Sequence, residues 1–139
     1  MLDPKEIQSI AESAISHAKA DRTEVFFYGT DNSLTRFANN TIHQNVSERD
    51  QSITVRLALG TKVGVASTNR LNKNGIAEVV SRARSIALVR PENPDLPTLK
   101  QPQPLPSPKS YYPRTASTTP RGRASKVLTL LKKVEERGF

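Results

Sequence analysis

The chain has 139 residues, 35% of them apolar, and a formal net charge of +8. That length supports one modest core rather than two. With no cysteine, disulfide staples, thiolate zinc sites and cysteine nucleophiles are excluded. Only His17 and His43 supply imidazole, and they are not spaced one helical turn apart as a zinc-binding pair would be. No stretch approaches the roughly 20 apolar residues of a membrane span. The opening Met1-Leu2-Asp3-Pro4-Lys5-Glu6 is polar and acidic, unlike a secretory signal, so the expected location is cytoplasmic.

The first expected element is a helix. Asp3 supplies an N-cap carboxylate, Pro4 the preset φ of a first helical residue, and Glu6 the partner of a capping box. Ile7, Ile10, Ala11, Ala14, Ile15 and Ala18 recur at three- and four-residue spacing as one apolar stripe. His17 lies outside that stripe and reads as a solvated residue. Strand-forming segments follow. The β-branched and aromatic run from Thr23 to Tyr28 predicts a strand, and Asp31-Asn32 is turn chemistry. Leu34 to Ala38 and Thr41 to Ser47 flank Asn39-Asn40, two residues that tolerate the positive φ angles of a tight hairpin. From Ser52 to Leu59, Ile53, Val55, Leu57 and Leu59 alternate with Ser52, Thr54, Arg56 and Ala58, giving one dry face and one wet or lightly covered face. Gly60-Thr61 turns the chain into a further strand, Lys62 to Ser67, with Val63 and Val65 expected to face inward. Such short links imply antiparallel neighbours.

A second helix is expected from about Asn72 to Leu88, with Ile76, Val79, Val80, Ala83, Ile86 and Ala87 on its apolar face and Gly75 as a mild weakness. Arg90-Pro91 stops it. The fold class is therefore α+β: a helix, about five mostly antiparallel strands and a second helix over residues 1–90. A proline-rich linker follows over residues 91–118, in which Pro102, Pro104, Pro106 and Pro108 alternate and favour extended backbone. Residues 119–139 form a final amphipathic helix, entered at Thr119-Pro120. Val127, Leu128, Leu130, Leu131 and Val134 make its apolar face, Gly138 offers a C-cap, and the sequence stops abruptly at Phe139.

Charge follows the same division. Residues 1–90 hold 12 Lys/Arg against 9 Asp/Glu, whereas residues 91–139 hold 9 against 4. The excess sits on the tail. Arg36, Arg49, Arg56 and Arg70 around the sheet could line an acidic-ligand surface, but aromatics are 5% of the chain and no nucleic-acid-binding motif accompanies them. The Gly60 to Gly64 spacing departs from a phosphate-binding loop and is turn chemistry. His43 has no visible catalytic partner and reads first as a surface or hydrogen-bonded strand residue.

Two stretches carry a resemblance. Leu34-Thr35-Arg36-Phe37-Ala38-Asn39-Asn40-Thr41-Ile42-His43-Gln44-Asn45 and Gly60-Thr61-Lys62-Val63-Gly64-Val65-Ala66-Ser67-Thr68-Asn69-Arg70-Leu71 resemble the N-terminal domain of the TldD/PmbA family, also catalogued as modulators of DNA gyrase. The resemblance extends over nearly the whole chain. It implies the non-catalytic N-terminal domain of a cytoplasmic, zinc-dependent peptidase that acts as a homo- or heterodimer on peptide substrates. It also implies that the zinc ligands, an H-E-x-x-x-H helix and a later cysteine, lie beyond this domain, so no cofactor is expected in this chain. The polar residues of the matched motifs, Arg36, Asn39, Asn40, His43 and Asn69, are the candidates for substrate or partner contact, with no catalytic residue among them. The competing reading is a stand-alone basic module that binds nucleic acid or another acidic partner through the tail.

Overall fold

The computed structural model describes residues 2–98, 103–104 and 106–138; Met1, Pro102 and Phe139, which enter the expectations above, lie outside the described residues. The elements in chain order are α1 (Pro4–Ala18), β1 (Arg22–Ala38), β2 (Thr41–Leu59), β3 (Lys62–Thr68), α2 (Lys73–Val89), α3 (Pro113–Ala116) and α4 (Pro120–Glu135). The chain divides into two compact units. One comprises Met1–Asp31 with Arg49–Leu99, the other Asn32–Glu48 with Lys100–Phe139.

The class is α+β, but the sheet has three strands in the order β1-β2-β3, not about five. The expected breaks do not occur. Asp31-Asn32 stays extended inside β1, and Glu48 to Gln51 stays extended inside β2. Turn-prone residues permit a turn without requiring one. Here Asp31 faces Arg49 across the strands and accepts from its Nη2 at 2.7 Å. Mostly exposed, that pair contributes only about 0.2–1 kcal/mol. It joins polar residues across an extended pair of strands where a turn was expected.

In the first unit, α1 begins as its composition requires. Asp3 Oδ1 accepts from the backbone N–H of Lys5 at 2.8 Å and of Glu6 at 2.9 Å, and Glu6 Oε2 accepts from the Asp3 N–H at 2.8 Å. The helix ends at Lys19, whose φ of 42° is left-handed. Its buried residues are Ala14 and Ala18; Ile15, counted in the expected stripe, is 50% exposed. The β2–β3 pair is antiparallel with Leu59 opposite Lys62, Leu57 opposite Gly64 and Val55 opposite Ala66. Gly60, at φ 59°, occupies the first central position of the connecting turn, where a type II′ hairpin needs positive φ.

Ile53, Val55 and Leu57 of β2 and Val79 of α2 are the largest fully buried side chains. Each contributes about 1.5–3 kcal/mol through burial. Ala14, Ala18, Ile76, Val80, Ala83 and Ala87 complete the same cluster, with Val25 and Phe27 of β1 packed against it. Small residues at the contact let α2 seat closely on β3. A Cβ added to Gly64 would run into the Ala83 carbonyl oxygen and the Ala87 backbone nitrogen. Gly75 is likewise not a weakness of α2: a Cβ there would meet the Arg70 carbonyl oxygen, while its N–H is held by the Asn72 side chain at 2.9 Å. On the other face of the sheet, the chain after α2 returns. Asn93 N–H donates to Thr61 O at 3.3 Å and Arg22 Nη1 to Pro97 O at 2.9 Å, and Ala58, on the face expected to be wet or lightly covered, is 5% exposed.

In the second unit, α4 starts as expected, with Thr119 Oγ1 accepting from Gly122 N–H at 3.1 Å and Pro120 at the first turn. Its apolar face divides: Leu131 is buried, Val127 and Val134 are half-buried, and Leu128 and Leu130 are more than half exposed. Glu136 is the C-cap; Gly138, at φ 77°, sits in the turn beyond it. A short helix, α3, stands before α4 in the segment expected to be irregular. Arg123 ties α4 to the hairpin, donating through Nε to Thr35 Oγ1 at 3.2 Å, through Nη2 to Asn45 Oδ1 at 3.2 Å and through Nη1 to Thr118 O at 2.9 Å.

Two expectations follow for solution measurements. Gly64→Val presses a branched side chain into α2 backbone that cannot rotate away, and should lower unfolding free energy by about 3 kcal/mol or more in urea titration. Gly60→Ala, strained only by its φ, should cost about 1–2 kcal/mol. An unchanged midpoint for the Gly64 variant contradicts the seating of α2. Arg123→Ala removes three hydrogen bonds and should weaken the second unit by about 1–3 kcal/mol. The check is faster amide exchange in residues 32–48 and 120–135, and an unchanged exchange pattern contradicts the tie.

Candidate functional site

Four of the five candidate residues lie on the hairpin of the second unit. Asn39 and Asn40 form its turn, with φ of 49° and 55°. Two successive positive φ angles define a type I′ turn, which explains asparagine at both positions without any ligand. Arg36 and His43 flank the turn, both exposed, on β1 and β2. Arg36 shares its face with Asn32, Leu34, Gln44, Val46 and Glu48, which line an open trough of about 430 Å³. His43 alternates with Asn45, whose face carries the Thr35–Asn45 bond at 3.1 Å and receives the Arg123 guanidinium. The fifth candidate, Asn69, belongs to the first unit, beside Leu2, Ile10, Arg49, Asp50, Gln51 and Leu71 around a cleft of similar size, about 430 Å³. The structure therefore gathers Arg36, Asn39, Asn40 and His43 at one hairpin end, whereas Asn69 belongs to the first unit.

Sequence reasoning did not find Arg123. Its role depends on Thr35 and Asn45, far away along the chain, and the only available signal was a helical arginine one turn after the Thr119 cap. Nor did it find the trough, which needs β1 and β2 extended past Asp31 and Glu48. Among the described residues four ion pairs join exposed or half-exposed side chains: Asp31–Arg49, Glu24–Arg56, Glu78–Arg70 and Glu78–Arg82. These link neighbouring strands and the surface of α2.

A zinc ion takes three or four nitrogen, sulfur or oxygen donors around one point. Among the described residues no three His, Asp or Glu side chains come together, and the sequence has no cysteine. The described residues do not assemble a donor set that fits a resident zinc. Among the described residues no helix is long and apolar enough to cross a membrane.

Comparison with known proteins agrees with this architecture. Residues 23–87 match the family model described as PmbA/TldA metallopeptidase domain 1. No curated protein matches by sequence. Among solved structures, TldE from Thermococcus kodakarensis superposes with a TM-score of 0.78 at 14% identity, over 95% of this chain and 29% of that one. A protein from Bacteroides thetaiotaomicron, described as a candidate modulator of DNA gyrase, superposes with a TM-score of 0.73 at 16% identity, over 90% of this chain and 30% of that one. At such identities the superpositions establish the shared fold, and this chain spans less than a third of either structure. Residues 23–87 are thus similar to the first domain of the PmbA/TldD family, and the fold they belong to is shared with the two solved structures.

Proposed function

We propose that the chain serves as the non-catalytic, N-terminal domain of a cytoplasmic TldD/PmbA-type zinc metallopeptidase, helping to form its dimer and to guide an extended peptide substrate. The observation that carries this reading is the match of residues 23–87 to the first domain of a metallopeptidase family. Two features support it. The donor set needed for zinc is missing from the described residues, which suits a domain that works beside a catalytic part. The sheet offers two edge strands, β1 and β3, and strand edges recognise extended polypeptide through its backbone. In this reading Arg36, Asn39, Asn40, His43 and Asn69 contact substrate or the partner subunit, and the zinc belongs to the catalytic part of the assembled enzyme.

A second reading rests on charge. Arg121, Lys126, Lys132 and Lys133 are exposed on α4, in a chain of net charge +8. That pattern suits a basic module for an acidic partner.

The two readings separate in solution. The purified chain, supplied with zinc, should leave casein intact, bind a labelled unstructured peptide with little response to salt, and leave a labelled DNA duplex free at physiological ionic strength. Chelator-sensitive casein cleavage contradicts the non-catalytic assignment. DNA affinity that falls steeply with salt, without peptide binding, favours the basic module. Within an assembled enzyme, combined replacement by Arg36→Ala, Asn39→Gly, Asn40→Gly, His43→Ala and Asn69→Ala should lower kcat/KM about 10-fold, or about 1.4 kcal/mol. Glycine preserves the positive φ of the turn, so an unchanged rate removes these residues from the functional surface.

A further inference from the structure

The exposed edge of β3 has a defined hydrogen-bonding pattern. In a two-residue hairpin the residues flanking the turn form a hydrogen-bonded pair, here Leu59 and Lys62. Counting on, Gly64 and Ala66 also bond to β2, while the N–H and C=O groups of Val63, Val65 and Ser67 point away from it. β3 is the last strand of the sheet, and among the described residues no backbone group pairs with those three. Edge strands are ordinarily blunted by proline, inward charge or a bulge. β3 has none of these: its sequence is Lys-Val-Gly-Val-Ala-Ser-Thr, with its one charge at the first residue.

Beside this edge lies a groove of about 470 Å³, lined by Val63, Val65, Ile86 and Pro91, with Arg90 and Glu92 among its rim residues. Val65 is 46% exposed there. Val63, Val65, Ile86 and Pro91 give the groove an apolar wall, and Arg90, Glu92 and Asn93 make the rest of it with one charge of each sign, so it has room for an apolar side chain without selecting a net charge.

Sterics decide the occupant. A second copy pairing β3 to β3 would set the two strands roughly 4.8 Å apart. Each carries its own α2 directly above, pressed against Gly64. Packed helices need about 8–10 Å between axes. The two α2 helices would collide, so the edge accepts a strand with no helix behind it.

We infer that β3 is a docking edge for an extended, proline-free peptide of about five residues, which pairs with Val63, Val65 and Ser67 and lays an apolar side chain in the groove against Ile86. This rests on the peptide-guiding reading above and assigns its backbone contacts to one strand.

The test uses the whole 139-residue chain and an end-capped peptide of alternating threonine and valine with a lysine at each end. At saturating peptide, the amides of Val63, Val65 and Ser67 should exchange at least ~10-fold more slowly by NMR, while Gly64 and Ala66, already bonded to β2, change little. Two N-methylated forms, one methylated on the threonines and one on the valines, should differ: one loses binding and the other keeps it, because only one peptide edge pairs. Val65→Pro removes an outward donor without removing a β2 bond and should abolish protection; where proline disturbs β3, Ile86→Lys should do the same from the helix side. Peptide binding with protection elsewhere, or equal binding by both N-methylated forms, overturns the β3 assignment and leaves peptide guidance standing. Absence of any peptide binding overturns both.

Discussion

Much of the first unit depends on a missing methyl group. Gly64 lets the backbone of α2 at Ala83 and Ala87 settle onto β3 more closely than any side chain would permit. That approach fixes the height of α2 above the sheet. It brings Val79 and Ile76 down onto Ile53, Val55 and Leu57, and Ala14 and Ala18 of α1 fill the remaining space. Small residues at the contact and large ones around it give native packing density without polar burial. Among the described residues no buried polar or charged residue interrupts this core.

The same seating has a functional side. A helix that sits tightly over an edge strand prevents that strand from pairing with another copy of its own fold. It leaves the strand open only to a partner that is all backbone and slender side chains. In the function proposed above, such an edge supplies geometry for an extended peptide, and the catalytic part of the enzyme supplies the reacting groups. Binding energy spent on holding a substrate extended can aid catalysis at a distance, because it replaces the entropy of a mobile chain.

The elements were legible where the local signal was strong. The Asp3-Pro4-Glu6 box, the start of α2 near Asn72, the Thr119-Pro120 entry, the Ile53-to-Leu59 alternation and the two tight turns all stand in the structure where the residues predict them. The strand count was not legible. Asp31-Asn32 has turn composition, and only the opposing Arg49 reveals why the backbone continues straight. Gly75 looked like a cost in helix propensity, and only the nearby Arg70 carbonyl shows its purpose. The hairpin residues Arg36, Asn39, Asn40 and His43 were found as a group by resemblance. Arg123 was out of reach, since its partners Thr35 and Asn45 belong to a distant stretch of chain. In each case the missing information is a long-range contact, which local propensity does not encode.

The claim on which the rest turns is the direct contact between Gly64 and α2. A proton NMR experiment on the labelled chain tests it most directly, through cross-relaxation between the Gly64 α-protons and the methyl and backbone protons of Ala83 and Ala87. The account predicts strong cross-peaks from Gly64 to both alanines. Their absence in a folded chain, with α2 cross-peaks running to β2 alone, would contradict it.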